Sequence, residues 1–190
     1  KMGALIVGIL DRDGGIINKE GLDQSEVEDL LIRKDGNPLV AVNMMSYDEI
    51  NEKIWDVPAD IFIPGAASKI LTREQVDRMI DAGVETISCG ANGPFVDDEV
   101  FFGPTAEYTD QLISVIPDFI ANCGMARVFA YLMEANVDMT DAGMFEDIAH
   151  TIYKALHEVH DLSIGTTRIS EKALEIALLR SLRADEYQAS

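Results

Sequence analysis

The pattern that most constrains the fold is an alternation of short apolar runs with amphipathic stretches through the first two thirds of the chain. Ala4–Leu10 is a continuous apolar run with branched residues, which is typical of a strand buried on both faces of a parallel sheet. Further strands are predicted at Ala59–Ile63, Val84–Ser88 and Ile113–Ile116. Because helical patterns separate these strands, the sequence predicts an α/β fold with an open, mostly parallel, Rossmann-like sheet.

Helix signals are clear on both sides of residue 123. Helices are predicted at Ser25–Lys34, after the capping-box sequence Ser46–Glu49, and from the capping box at Thr72 to Ala82. Beyond Asn122 the pattern becomes wholly helical, with stretches at about 124–136, 142–160 and 168–184. We therefore expect two domains: an α/β domain over 1–123, and a C-terminal helical extension over 124–190.

The charge balance narrows the possible partners. The chain has 34 acidic and 15 basic residues, a formal net charge of −19, and the acids are spread along the chain. Such a surface repels the phosphate groups of nucleic acids and of anionic membranes, so neither is an expected partner. Two cysteines, Cys89 and Cys123, are too few for a disulfide framework, and a reducing, cytoplasmic setting is expected.

In open α/β sheets, ligands bind beyond the carboxyl ends of the strands, so the residues after each strand are the candidate site. Asp11 follows the first strand, where an acid accepts hydrogen bonds from the adenosine ribose of a dinucleotide, or merely caps a turn. The acid favours NAD, whereas the neighbouring Arg12 keeps NADP open, because a guanidinium there binds a 2′-phosphate.

Three further loops carry small or amide residues. Pro64-Gly65-Ala66 follows the second strand, and its small residues allow a ligand to approach the backbone closely, although an ordinary tight turn has the same composition. Asn92 lies between glycines after the third strand, and Asn122 follows the fourth. Their amides offer donors and acceptors to a ligand, while turn chemistry for Asn92 and helix capping for Asn122 are the structural alternatives.

Taken together, these segments resemble one known family, both in their residues and in their order along the chain. VGILDRDGGIINKEGLD (7–23), IFIPGAASKILT (61–72), CGANGP (89–94) and VIPDFIANCG (115–124) are similar to successive blocks of the glutamate/leucine/phenylalanine/valine dehydrogenases. KALEIALLRSLRA (172–184) resembles the last helix of that family. The resemblance covers essentially the whole chain.

The resemblance implies an NAD(P)-dependent enzyme that oxidatively deaminates an L-amino acid to a 2-oxo acid and ammonia. It implies that Asp11 meets the adenosine ribose, that Pro64–Ala66 lies against the cofactor, and that Asn92 and Asn122 hold the nicotinamide side. The family's glycine-rich phosphate loop, its first strand and its catalytic residues have no counterpart here, so we expect no catalytic residue in this chain. The missing catalytic portion is expected in the same or a separate chain, and the complete protein is expected to be a homo-oligomer.

Departures from the family pattern bear on the substrate. Phe129 stands where members that prefer glutamate carry Ser, so the expected substrate is apolar. Met125 replaces a Gly that permits close approach, and Lys69 stands where the family often has Asn. An alternative reading is a non-catalytic dinucleotide-binding or regulatory module with a degenerate site.

The sequence does not predict a metal site. His150, His157 and His160 lie on one predicted helix, but metal ligation requires convergent ligands, and solvent-facing histidines are commoner. Cys123 near the nicotinamide side is either a reactive thiol or a small buried one, and burial is the simpler expectation. No role is assigned to the segment 95–110.

Overall fold

The computed structural model describes residues 3–33, 38–99 and 102–188, with side chains as far as residue 182. These residues form two compact units. The first unit contains the chain up to Asp60 and residues Glu74–Val84. The second contains Ile61–Arg73 and the chain from Glu85 onward. The predicted boundary at residue 123 stays a prediction.

The first unit contains a small antiparallel sheet. Strand β1 (Ile6–Asp11) pairs with β2 (Gly14–Leu22), and β2 pairs with β3 (Met45–Ser46). This corrects the expectation for the first apolar run: β1 is half-buried at every residue and its partner is antiparallel. The reason lies in the turn after β1, where Asp11 Oδ1 accepts hydrogen bonds from the backbone N–H of Asp13 (2.8 Å) and Gly14 (3.2 Å) and reverses the chain.

Gly15 shows why this hairpin needs small residues. A Cβ atom at Gly15 would lie 2.1 Å from the carbonyl oxygen of Ile9 and 2.4 Å from Ile50 Cδ1. The two strands and the Ile50 side chain therefore lie too close together to leave room for a side chain at this position.

The described residues of the first unit also form three α-helices and one short 3-10 helix (Ile54–Asp56). Helix α1 (Gln24–Arg33) confirms the predicted helix, whose expected last residue, Lys34, lies outside the described residues. Helix α2 (Tyr47–Lys53) begins at the predicted capping box: the Ser46 side chain accepts from Glu49 N, and Glu49 accepts from Ser46 N. Helix α3 (Arg73–Asp81) contributes its residues from Glu74 onward. The buried apolar side chains of this unit are Leu22, Leu30, Ile50, Trp55, Val57, Val76, Met79 and Val84.

The second unit contains the parallel sheet that the sequence predicts. Strands β4 (Ile61–Phe62), β5 (Thr86–Ser88) and β6 (Ser114–Ile116) are parallel and adjacent in that order. Ile87 and Val115 face each other in the register of β5 and β6 and are fully buried. This sheet, with helices between its strands, confirms the α/β fold class.

The described residues of the second unit form five helices. They are α4 (Pro104–Leu112), α5 (Asp118–Ala121), α6 (Gly124–Leu132), α7 (Asp141–Leu162) and α8 (Ile169–Gln188). The last three confirm the helical C-terminal extension. Helix α4 begins in the segment 95–110 that the sequence left without a role and ends two residues beyond it. The described residues form no helix that is long and apolar enough to cross a membrane.

A buried carboxylate joins three of these elements. Asp110 on α4 accepts hydrogen bonds from Ser170 N and Glu171 N at the start of α8, each at 3.0 Å. Ser170 Oγ in turn donates to the carbonyl oxygen of Val115 on β6 at 2.7 Å. Burial raises the pKa of Asp110, and the two backbone N–H groups act in the opposite direction. These bonds fix α8 to α4 and to the sheet.

Candidate functional site

An open cleft of about 800 Å³ lies in the second unit beyond the carboxyl ends of β5 and β6. The loops after β5 and β6, the segment after β4, and α4, α6 and α8 all contribute to its lining. Its apolar part comes from Phe95, Phe102, Ala106, Val115 and Leu174, and its polar part includes Lys69, Asn92, Asp118 and Asn122. This is the edge at which open α/β sheets bind ligands.

The loops after β4 and β5 are joined through their backbones. Ala91 N donates to the carbonyl oxygen of Pro64 at 2.8 Å, and Lys69 N donates to that of Gly93 at 2.9 Å. Pro64 is fully buried, whereas the predicted site residues Gly65 and Ala66 are exposed. A Cβ atom at Gly65 would meet no protein atom within 4 Å, so the backbone there is open to a ligand.

The two predicted asparagines are in direct contact. Asn122 Nδ2 donates to Asn92 Oδ1 at 2.8 Å, and both residues are exposed and line the cleft. Asn122 is the C-cap residue of α5. It is not the N-cap residue of α6, because Cys123 occupies that position. The pair can still offer a donor, Asn92 Nδ2, and an acceptor, Asn122 Oδ1, which is the combination that a carboxamide requires.

Asp118, the first residue of α5, is a site residue that the sequence reasoning missed. Its Oδ2 accepts from Gly93 N at 2.8 Å, and its Oδ1 accepts from Phe119 N at 2.8 Å. The position carries one detectable signal, because an acid at the start of a helix directly after a strand is well placed to bind backbone N–H groups. Its partner in the β5 loop could not be read from the sequence.

One wall of the cleft is charged and contains Asp97, Asp98 and Lys69. Asp97 accepts hydrogen bonds from Thr105 N and Ala106 N at 3.0 Å and so caps α4. Lys69, whose φ of 57° is in the left-handed region, pairs through Nζ with Asp98 Oδ1 at 3.0 Å. Both side chains of this pair are mostly exposed, so the contact contributes little stability.

The two thiols of the cleft are in different surroundings. Cys89 is 1% exposed, and burial, together with the nearby carboxylates of Asp118 and Asp110, raises its pKa to about 12. Cys89 is therefore protonated at neutral pH and is a poor nucleophile. Cys123 is half-buried, and both thiols are unpaired. The described residues contain no group of three or more His, Cys, Asp or Glu side chains that could hold a metal ion.

Helix α6 presents an apolar face that the described residues do not cover. Met125 is 70% exposed, Phe129 63% and Met133 87%, and the spacing of four residues places them on one side of the helix. Arg127 fixes α6 to α7 through hydrogen bonds to both carboxylate oxygens of Asp147. The pocket candidate Phe129 is therefore available to a ligand or to another part of the protein.

Asp11 and Arg12 belong to the first unit. Both carboxylate oxygens of Asp11 already accept backbone hydrogen bonds: Oδ1 from Asp13 N and Gly14 N, and Oδ2 from Leu39 N. These contacts are those of a turn cap, which was the structural alternative for Asp11. The Arg12 side chain is 77% exposed, and its only ion pair among the described residues is with the adjacent Asp13 at 3.5 Å.

Comparison with known proteins identifies the family of this chain. The family model described as Glutamate/Leucine/Phenylalanine/Valine dehydrogenase matches residues 1–188. The chain belongs to this family. The asparagine pair and the cleft at the strand ends thus lie within the segment that this family model matches.

Individual relatives are distant and considerably longer. An NADP-specific glutamate dehydrogenase of Psychrobacter sp. (strain TAD1) is 28% identical over 173 residues, which covers 85% of this chain and 36% of that protein. Glutamate dehydrogenase B of Halobacterium salinarum is 31% identical over 143 residues, which covers 70% of this chain and 29% of that protein. The Psychrobacter enzyme is named NADP-specific, whereas another relative, glutamate dehydrogenase A of Halobacterium salinarum, is named NAD-specific, so these names do not decide between the two cofactors.

Solved structures agree on the fold. Plasmodium falciparum glutamate dehydrogenase 2 superposes on this chain with a TM-score of 0.72 at 19% sequence identity. The superposition covers 98% of this chain and 42% of the Plasmodium chain. At this level of identity the likeness concerns the fold alone. In each comparison the chain spans less than half of the matched protein.

Proposed function

We propose that the complete protein is an NAD(P)-dependent L-amino-acid dehydrogenase, and that this chain supplies its nicotinamide-side binding site. The observation that carries the proposal is the hydrogen-bonded pair Asn92–Asn122 in the cleft beyond the parallel strands. A dinucleotide fits the donor set, because the pair retains a donor and an acceptor for a carboxamide, and the exposed backbone at Gly65 admits a close ligand. The reaction is the reversible oxidative deamination of an amino acid to a 2-oxo acid and ammonia.

Each site residue has a defined task in this proposal. Asn92 and Asn122 orient the carboxamide and ribose on the nicotinamide side, and the turn Pro64–Ala66 lies against the cofactor. Asp11 meets the adenosine ribose, and the exposed Arg12 is the group that would accommodate a 2′-phosphate. When bound, the cofactor supplies the hydride-accepting ring, and the protein determines which face is presented.

NAD is favoured over NADP. A carboxylate at the position of Asp11 repels a 2′-phosphate and can accept a hydrogen bond from a free ribose hydroxyl. Arg12 favours NADP instead, because its side chain is exposed, is only weakly paired and could bind a 2′-phosphate.

We propose an apolar amino acid as the substrate. A phenyl ring at position 129 offers no hydrogen bond to a side-chain carboxylate, and its exposure leaves it available to a substrate. A second candidate is glutamate, because the relatives described above are named glutamate dehydrogenases.

We further propose that residues 124–190 act as a helical domain that packs on residues 1–123 and on the catalytic portion of the complete protein. The exposed apolar face of α6 supports this, because soluble proteins rarely leave such faces uncovered. Homo-oligomerisation follows from the family resemblance, and a cytoplasmic location is consistent with the two unpaired thiols.

The first experiment measures NAD and NADP reduction by the complete protein with leucine, valine, phenylalanine and glutamate. We expect turnover with an apolar amino acid and NAD, and a loss of at least about tenfold in kcat/KM in Asn122→Ala, in which the amide pair is broken. Asn18→Ala is the matched control, because that amide also makes a hydrogen bond, to Gly21 O, but is not one of the proposed site residues. Phe129→Ser should shift the preference toward glutamate.

Three outcomes would contradict parts of the proposal. Preference of the wild-type protein for glutamate would replace the apolar substrate by the second candidate. Binding of NADH without turnover of any of these amino acids would favour a non-catalytic binding module. Absence of both binding and turnover would refute the dehydrogenase function.

A further inference from the structure

Helix α5 is attached to the loop after β5 at two points one helical turn apart. Asn122 at its C-terminal end donates to the Asn92 side chain at 2.8 Å. Asp118 at its N-terminal end accepts from the backbone N–H of Gly93, the residue after Asn92, at 2.8 Å. One short helix therefore holds both the side chain of Asn92 and the backbone beside it.

The backbone at Gly93 needs such a contact. Gly93 has a φ of +48°, in the left-handed region that favours glycine, and a Cβ atom there would meet nothing within 4 Å. A side chain at this position would therefore have no neighbour to pack against, whereas hydrogen bonds do hold the Gly93 backbone. Its carbonyl oxygen is held by Lys69 N at 2.9 Å, and its N–H is held by Asp118. Loss of the Asp118 contact would leave the amide of a flexible residue without its anchor, next to Asn92.

We propose that Asp118 is a positioning residue, which fixes the Gly93 turn and thereby holds the Asn92 amide where the dinucleotide binds. This inference rests on the proposed function and adds to it a residue that does not itself touch the cofactor. The contact that matters is the hydrogen bond from Gly93 N to a side-chain oxygen. An amide oxygen can accept that bond as a carboxylate oxygen does, so the negative charge of Asp118 is dispensable.

The test is a double-mutant cycle on the complete protein, with the Kd for NADH measured by fluorescence titration. We expect Asp118→Ala to raise this Kd about three- to tenfold, and Asp118→Asn to stay within about twofold of the wild type. In an Asn92→Ala background, where the positioned group is absent, Asp118→Ala should change the Kd by less than about twofold. If Asp118→Ala does not fold, Asp118→Ser replaces it, because its hydroxyl can still accept from Phe119 N while its side chain is too short to reach Gly93.

Asp97→Ala is the matched control. Asp97 also lines the cleft and also binds backbone N–H groups, but these are the N–H groups of Thr105 and Ala106 on α4 and not that of Gly93. Its effect on the Kd, whatever its size, should be the same with and without Asn92. The melting temperature of each cofactor-free variant separates a general loss of stability from a specific loss of binding.

The outcomes distinguish this inference from the function on which it rests. If the wild-type protein binds neither NADH nor NADPH, the proposed function fails and the inference fails with it. If the wild-type protein binds NADH but Asp118→Ala weakens binding equally in both backgrounds, Asp118 acts directly or through the general fold, and only the positioning role is refuted. The same holds if Asp118→Asn is as damaging as Asp118→Ala, or if Asn92→Ala leaves binding unchanged.

Discussion

At the scale of single residues, Cys89 shows how burial converts a reactive group into an inert one. It lines the cleft yet is 1% exposed, and burial raises its pKa from 9.0 to about 12. Between these two values the unfolded chain has released the thiol proton while the native protein still holds it. The titration of Cys89 therefore leaves the stability of the native state unchanged below pH 9 and lowers it progressively as the pH rises from 9 toward 12.

We predict that the free energy of unfolding of the native protein falls more steeply with pH above 9 than that of Cys89→Ala. The expected difference in slope approaches about 1.4 kcal/mol per pH unit, because one proton separates the two states. Urea titrations at several alkaline pH values measure it. A second measurement uses the Cys123→Ala variant, in which Cys89 is the one remaining cysteine. Iodoacetamide at pH 8 should alkylate Cys89 in this variant only after denaturation. Parallel pH slopes for the wild type and Cys89→Ala would contradict the prediction.

At the scale of elements, the attachment of α8 depends on Asp110. Its two carboxylate oxygens accept from Ser170 N and Glu171 N, and it is 1% exposed. We predict that Asp110→Ala lowers the free energy of unfolding by about 1–3 kcal/mol, because two backbone N–H groups lose their partner in a buried place. Asp110→Asn should cost less, since an amide oxygen retains one bond and carries no charge to bury.

Chemical denaturation of the two variants checks this prediction. Glu107→Ala on the exposed side of the same helix is the control and should stay within about 0.5 kcal/mol of the wild type. Equal costs for Asp110→Ala and Glu107→Ala would mean that the buried bonds do not hold α8.

The same helix shows why some elements could not be predicted from the sequence. The buried residues of α4 are Thr105, Ala106, Thr109 and Asp110, so its inner face has almost no apolar pattern to detect. Strand β2 was missed for a related reason: it begins with two glycines in a turn, and it is a strand because it pairs with β1. Helix α2, by contrast, was predicted correctly, because the Ser46–Glu49 capping box is a local signal.

The candidate site was likewise predictable from the sequence only in part. Asn92 and Asn122 could be proposed because each follows a strand, and the edge of a parallel sheet brings such residues together. Their hydrogen bond, and the bond between Asp118 and Gly93, depend on loop conformations that are set by partners 25 to 30 residues away in the chain. No local pattern specifies such contacts.

At the scale of the whole molecule, charge is the dominant property. With 34 acidic and 15 basic residues, the chain carries a formal net charge of −19. Compaction brings these charges together, so self-repulsion destabilises the folded state relative to the unfolded chain. Several ion pairs offset only part of this, and most of them are exposed.

We predict that the melting temperature rises as KCl is increased from about 20 to 200 mM, a range over which the screening length falls below about 10 Å. A gain on the order of 1 kcal/mol corresponds to roughly 2–4 °C for a protein of this size or slightly larger. The triple variant Glu20→Gln, Asp60→Asn and Glu146→Gln removes three exposed negative charges and should reduce the salt dependence, whereas Lys154→Gln should increase it. Glucose at the same osmolality controls for effects other than screening. A melting temperature that falls with salt would mean that the exposed ion pairs, and not the net repulsion, dominate the electrostatic free energy.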